Sequence, residues 1–370
     1  MLSLSFGILG GPVLPYLLAA AAAWPSPPAG AADTHRRGVA VHRGVPATIE
    51  RTAYLMGTLL RVRVVGEDRT SGDAAVGAAF DEVARLEAVL STWSPSSDLG
   101  LANAAPVGRE HPLSGELFGL VMEAASWVDR TDGAFDPAIG ALIDAWDLRG
   151  AGRRPPAGAL LAARAASGWS NAVLAPARQA LVRPHPAWWL DSGGFGKGAA
   201  LRSAAAVLRA HGVDSFTLDF GGQLVQHDVE GAAARIEVAH PIARTAGVAA
   251  LHMRTGSVAT SGASERFVEH DGERLGHILD PRSGVPVGAW GSVTVVADDA
   301  LEADVLSTAL FVMGVPDALA WATDNPQYGV LILRAGSDGR LCAQWNATME
   351  RWLVEPPAHD RGACGQVEDR

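Results

Sequence analysis

The chain lacks any surplus of positive charge. Its 30 Lys and Arg stand against 40 Asp and Glu, for a formal net charge of −10. That balance disfavours a sequence-independent grip on nucleic acid, which depends on basic side chains neutralising phosphates. A small anionic ligand is not excluded, because backbone N–H groups and a metal can hold one with little net charge on the protein. Cysteine is scarce: Cys342 and Cys364 are the only two, able to pair in an oxidising compartment or to stay apart. The histidines, His111, His240 and His270 among them, show no metal-ligand spacing. There is no short-period repeat. Charged residues make up only 19% against 48% apolar, the balance of a folded globular protein and not of a disordered one.

What is there starts with length. A chain of 370 residues exceeds a typical single core, so one large two-lobed domain or two domains is expected. The N-terminal LSLSFGILGGPVLPYLLAAAAAW carries no charge and lacks the basic residues that usually precede an export signal. The Pro- and Ala-rich stretch that follows offers Ala29-Gly30-Ala31 as a cleavage site. Residues 1–32 therefore read as a signal peptide or an uncleaved anchor, which places the protein outside the cytoplasm. With no cysteine near that site, a lipid anchor is unsupported. Residues 33–49 read as a linker, 50–340 as the domain and 341–370 as a C-terminal tail.

Within the domain, LLRVRVV alternates as a strand. DAAVGAAFDEVARLEAVLSTW places Val76, Phe80, Val83, Leu86 and Leu90 at helical spacing, with Ser71 or Asp73 as cap. ELFGLVMEAASWVDR is a second helix, stopped at Asp132-Gly133. Residues 149–186 look like a peripheral excursion, after which AWWLD predicts a strand, followed by a glycine turn, the helix AALRSAAAVLRAHG and the strand SFTLDF. Short strands and hairpins continue to GHILD. SVTVVADDALEADVLSTALFVMG then predicts strand, loop and helix, and YGVLILR a closing strand. Helices mixed with hairpins argue for an α+β fold with mixed sheets and against a doubly wound one.

The stretch DSGGFGKG, 191–198, invites two nucleotide-binding readings. A phosphate-binding P-loop fails, because Asp191 stands where the first glycine belongs and Gly198 follows Lys197 where a hydroxyl should reach Mg²⁺. The dinucleotide fingerprint fits loosely at Gly194, Gly196 and Ala199, with Asp214 or Asp219 near the place of the ribose acid. A Rossmann dehydrogenase is thus an alternative from this stretch alone, and a purely packing turn is another.

Other segments resolve the choice. In order, MGT at 56–58, LSTWSPSSDLGLAN at 90–103, GAFDPAIG at 133–140, LDSGGFGKG at 190–198, DFGGQL at 219–224, ATSG at 259–262, GHILDPRSGVP at 276–286 and VTVVADDALEADVLSTALFVMG at 293–314 resemble the ApbE family, whose members are FAD:protein FMN transferases. The family commonly has KGYA and then an acid, an Asn and a second histidine where this chain has Lys197-Gly198-Ala199-Ala200 with Arg202, Asp219 and Gly276.

The resemblance implies a two-lobed ApbE-like fold, FAD as substrate, Mg²⁺ as cofactor and a partner protein as acceptor, typically a subunit of a membrane redox complex. It implies metal ligation by Asp304, Ser307, Thr308 and the carbonyl of Gly194, and flavin contacts from Met56, Trp93, Ala134, Phe135, Asp136, Asp191, Lys197 and Ile278. Helical spacing puts Asp304, Ser307 and Thr308 on one face; the residues alone favour a capped amphipathic helix whose hydroxyls bond its own backbone, and the resemblance reverses that preference. Hard oxygen donors suit Mg²⁺, and Lys197 in a glycine turn can approach phosphates. His277 is the candidate general base, since its ring can accept a proton near neutral pH. Asp280 would orient it or meet the acceptor.

Overall fold

A computed structural model describes residues 47–66, 68–262, 267–270, 273–335 and 341–357. The N-terminal segment read as a signal or anchor, most of the linker, and Cys364 lie outside them. In chain order the elements are β1 (Ala47–Leu55), β2 (Thr58–Gly66), α1 (Arg69–Leu90), α2 (Asp98–Ala104), β3 (Glu110–Pro112), α3 (Gly115–Arg130), α4 (Gly140–Trp146), α5 (Ala157–Ala166), β4 (Val173–Ala175) and β5 (Ala180–Val182). There follow α6 (Gly196–Ala210), β6 (Ser215–Phe220), β7 (Gln223–Asp228), β8 (Ala234–Ala239), β9 (Gly247–Met253), β10 (Thr255–Gly262), β11 (Phe267–His270) and β12 (Glu273–Gly276). The chain closes with β13 (Gly291–Ala297), α7 (Ala300–Met313), α8 (Val315–Asp324), β14 (Gly329–Ala335), β15 (Leu341–Trp345) and β16 (Leu353–Glu355).

The frame is an eight-stranded sheet in the order β1-β2-β6-β7-β10-β13-β14-β15, antiparallel at every pairing. An α+β architecture was expected. The Rossmann alternative fails here, because a doubly wound sheet needs parallel strands joined by crossover helices and no strand pair among the described residues is parallel. Leu60, Val62 and Val64 of β2 are buried while Arg61 and Arg63 alternate with them, as the period of two requires. The buried side chains meet α1 and α6 in one core cluster. Val293 and Val295 of β13, with Val330 and Ile332 of β14, meet α7 in another. Leu331 and Leu333, on the opposite face of β14, pack with Ile236, Val238 and Leu251 of the small β16-β9-β8 sheet.

Three local expectations differ. α1 starts before Ser71, because Asp68 caps it by accepting from the N–H groups of Thr70 (3.2 Å) and Ser71 (2.9 Å). The predicted strand AWWLD is irregular: the Asn103 amide donates to the Leu190 carbonyl and accepts its N–H, both at 2.8 Å, taking the bonds a neighbouring strand would. The stretch from 341, expected as a tail, supplies β15 at the sheet edge and β16 in the small sheet, with Met349 fully buried between them. The linker boundary at 49 likewise falls inside β1, which begins at Ala47.

Candidate active site

The glycine turn before α6 is held by bonds along its length. Asp191 N–H donates to the Pro137 carbonyl at 2.7 Å, Gly196 N–H to the Ser192 carbonyl at 2.7 Å, and Ser192 Oγ to the Leu90 carbonyl at 2.8 Å. These bonds fasten it to the GAFDP loop and to the end of α1. No side chain caps α6, so its first N–H groups are open to an acceptor from elsewhere. Asp304 of α7 provides one: Oδ2 accepts from Gly198 N–H at 2.8 Å. Glycine is required at 198 because a Cβ there would stand 2.4 Å from the Ala300 carbonyl and 2.6 Å from Leu301 Cα. The two helices meet backbone to backbone.

Asp304 is 3% exposed, and its second oxygen, Oδ1, lies 3.1 Å from Lys197 Nζ. The residue expected to hold a cation and the residue expected to neutralise phosphate are therefore each other's partner. One turn along α7, Ser307 Oγ donates to the Asp304 carbonyl at 3.0 Å and lies 2.9 Å from Ser261 Oγ. Thr308 Oγ1 is 3.3 Å from the same carbonyl and 3.4 Å from Ser261 Oγ. Gly194 completes the group, since a Cβ on it would sit 3.8 Å from Thr308 Cγ2. Among the described residues no three His, Cys, Asp or Glu cluster in a way that could hold a metal. One carboxylate and neighbouring hydroxyls, with the Gly194 backbone beside them, form a hard oxygen set, which fits Mg²⁺ in kind and does not fit Zn²⁺. Ser261, on β10, was missed in the sequence; only its neighbourhood, ATSG, was noted.

Apolar residues border the same turn. A Cβ on Gly196 would be 3.4 Å from Met56 Cε, and one on Gly194 would be 3.0 Å from Phe135 Cε2. Met56 reaches there from the tip of the β1–β2 hairpin, where it has φ 45° beside Gly57 at 78°, the paired left-handed geometry of a tight hairpin turn. Phe135 and Ala134 are buried behind Asp132 and Gly133, whose φ values of 48° and 70° end α3 as read from the sequence.

Three expected site acids serve the protein's own backbone. Asp136 accepts from Ala138 N–H at 2.7 Å and Trp169 N–H at 2.8 Å, and its burial raises its pKa despite those two bonds. Asp191 accepts from Gly193 N–H at 2.9 Å and from Arg149 Nη2 at 3.0 Å. Asp280 accepts from Arg282, whose backbone N–H (2.9 Å) and Nε (3.0 Å) both donate to Oδ1. His277 is half-buried and precedes buried Ile278, whose carbonyl accepts from Val287 N–H at 2.8 Å. The 280–284 turn lies against the GAFDP loop, with Arg282 Cγ 3.5 Å from where Gly133 would carry a Cβ. Trp93 is 73% exposed and borders a cleft of about 300 Å³ shared with Arg149, Trp189 and Asn103.

Lys197, Asp304, Gly194, Ser307, Thr308, Met56 and Phe135 thus gather at one glycine turn from four distant parts of the chain. A model of the ApbE family matches residues 56–332, a span that starts at Met56 and includes all of them. An FAD:protein FMN transferase of Klebsiella pneumoniae (strain 342) is 31% identical over 269 residues, covering 70% of this chain and 77% of that protein. One of Treponema pallidum (strain Nichols) is 31% identical over 307 residues, covering 76% and 83%. The crystal structure of the ApbE protein from Thermotoga maritima is similar with a TM-score of 0.76 at 26% identity, covering 84% of this chain and all of that one. With the family model matched over residues 56–332 and relatives 31% identical over most of both chains, the chain belongs to the ApbE family.

Proposed function

We propose that this protein is an FAD:protein FMN transferase that uses Mg²⁺ to attach FMN through a phosphoester to a Ser or Thr of a target protein, releasing AMP. The observation that carries the reading is the Lys197–Asp304 contact at the glycine turn, 3.1 Å long, with the hydroxyls of Ser307 and Thr308 and the backbone of Gly194 beside it. A cationic side chain and a set of hard oxygen donors meet where glycines let a pyrophosphate come close to the backbone. Asp304, Ser307, Thr308 and the Gly194 carbonyl would hold Mg²⁺, which when bound supplies charge neutralisation for the pyrophosphate oxygens.

In the transfer, the acceptor hydroxyl oxygen bonds to the FMN-side phosphorus. The bond from that phosphorus to the bridging oxygen breaks, and AMP leaves with its electron pair. Lys197 stabilises the charge that builds on the phosphoryl oxygens, and His277 takes the hydroxyl proton. Met56 and Phe135 cover apolar ring surface. The apolar N-terminus supports export to the periplasm or the outer face of the inner membrane, and hence an acceptor that is a subunit of a membrane redox complex.

The test is the intact mass of a candidate acceptor after incubation with FAD and Mg²⁺. The expected result is the gain of one FMN moiety on a Ser or Thr with equimolar AMP. Free FMN and AMP beside an unmodified acceptor would make the enzyme an FAD pyrophosphatase. Intact FAD would reduce it to a flavin-binding protein.

A further inference from the structure

Arg149 lies in the stretch that the sequence marks as peripheral, yet it is built into the edge of the site. It follows α4, where Asp147 takes the left-handed conformation (φ 52°) and turns the chain back. The guanidinium carbon stands 4.7 Å from the ring centroid of Trp93 and 4.3 Å from that of Trp189. Nη1 donates to the Thr92 carbonyl at 2.9 Å; Nη2 donates to Thr92 Oγ1 at 2.6 Å and to Asp191 Oδ1 at 3.0 Å. The other Asp191 oxygen accepts from Gly193 N–H. A single side chain therefore ties the loop after α1, the exit of α4 and the first residues of the glycine turn.

The tie matters because of what it holds. Trp93 is 73% exposed, so packing alone leaves its ring free to rotate, and the guanidinium gives one face a fixed neighbour. The Asp191 carboxylate, bridged between Arg149 and Gly193, is fixed in the same way. Lysine could not do this, as a single ammonium cannot present two coplanar N–H edges to Thr92 and Asp191 while stacking on indoles.

We propose that Arg149 is a positioning residue for flavin recognition: it presets the Trp93 ring and the Asp191 carboxylate at the mouth of the cleft as a flat aromatic face beside a hydrogen-bond acceptor. The matching ligand is a planar heterocycle with an N–H donor, the isoalloxazine end of FAD, and not its phosphates. The inference rests on the flavin reading of the site, and it acts through Trp93 and Asp191 without touching the reacting atoms.

The experiment measures binding of FMN, FAD and ADP to wild type, Arg149→Lys and Arg149→Ala by calorimetry, with melting curves as folding controls. ADP carries the pyrophosphate and no isoalloxazine. Both variants should lose roughly tenfold or more in FMN and FAD affinity, as expected when a preorganised contact must be ordered on binding, and should keep ADP affinity within about twofold. KM for FAD should rise more than kcat falls. With Trp93→Ala, the double variant Trp93→Ala/Arg149→Ala should lose less than the sum of the singles, because they act in one chain of contacts. Wild-type flavin affinity in Arg149→Lys would overturn the proposal, and so would equal loss of ADP and flavin, which marks a general scaffold. Should Arg149→Ala not fold, Arg149→Lys decides alone. Wild-type protein that binds flavin through Arg149 but transfers no FMN would sink the transferase reading and leave this one standing; wild-type protein that binds no flavin would sink both.

Discussion

A carboxylate as buried as that of Asp304 must have its charge answered inside the protein, and Lys197 Nζ with Gly198 N–H answers it from two sides. In the proposed transfer Lys197 has a second task at the phosphoryl group, and Lys197→Ala should show both. Single-turnover rates at saturating FAD should fall about a hundredfold, or roughly 3 kcal/mol, with a smaller loss in FAD affinity. Stability to urea should fall by about 1–2 kcal/mol, less than for a fully buried pair, since the Lys197 side chain keeps 34% of its exposure. Lys197→Arg should recover stability better than rate. A wild-type chemical rate in both variants would make the lysine structural only. At Asp136 the effect is one of pH. Burial holds its pKa above the ordinary 3.8, so the folded state keeps this proton at pH values where the unfolded state has released it. Stability from this group is then highest below 3.8 and declines as pH rises through the window up to the raised folded value. Urea unfolding of wild type and Asp136→Asn across about pH 3 to 6 should show that decline in their difference; a flat difference would mean that the two backbone N–H bonds cancel the desolvation, and a rising one that they outweigh it.

At the scale of elements, the meeting of α6 and α7 decides whether the site exists. Gly198→Ala should cost about 1–3 kcal/mol by overpacking and also weaken FAD binding, because the added methyl meets backbone at 2.4 Å and 2.6 Å and Asp304 Cβ at 2.8 Å. A thermal midpoint unchanged from wild type would show that the helices can part without loss. What was legible in the sequence follows the same division. The alternation of Leu60, Val62 and Val64, the spacing of Val76, Val83, Leu86 and Leu90, and the Asp132-Gly133 stop are local patterns, and local patterns survive folding. AWWLD failed as a strand because the competing partner, the Asn103 side chain, lies 87 residues away from Leu190. Arg149 gave no signal, and Ser261 only that of the ATSG segment around it. Each acts through neighbours that only the fold brings near, and a lone Arg in an Arg-, Pro- and Ala-rich stretch looks like a solvated charge. The pairing of Lys197 with Asp304 was hidden for the same reason, although both residues were singled out separately.

For the molecule as a whole, the continuous antiparallel sheet ends at β1 on one side and at β15 on the other. The glycine turn is thereby held by elements from nearly the full length of the domain. The segment from 341 to 357, part of the stretch expected as a C-terminal tail, crosses from the main sheet to the small one, with Met349 buried beside Leu331 and Leu333. Among the described residues no helix is long and apolar enough to cross a membrane. The Lys197–Asp304 contact has a consequence for this whole. Since the lysine already balances the carboxylate, the polypeptide can reach its native state before any divalent ion arrives, unlike small domains that fold only around their metal. Under the proposed Mg²⁺ function, assembly and loading are then separate events. EDTA should therefore leave the melting temperature of the purified protein unchanged while abolishing transfer, and Mg²⁺ should raise that temperature only in proportion to site occupancy. A collapse of the melting transition on chelation would show the reverse, a protein whose shape is on loan from its ion.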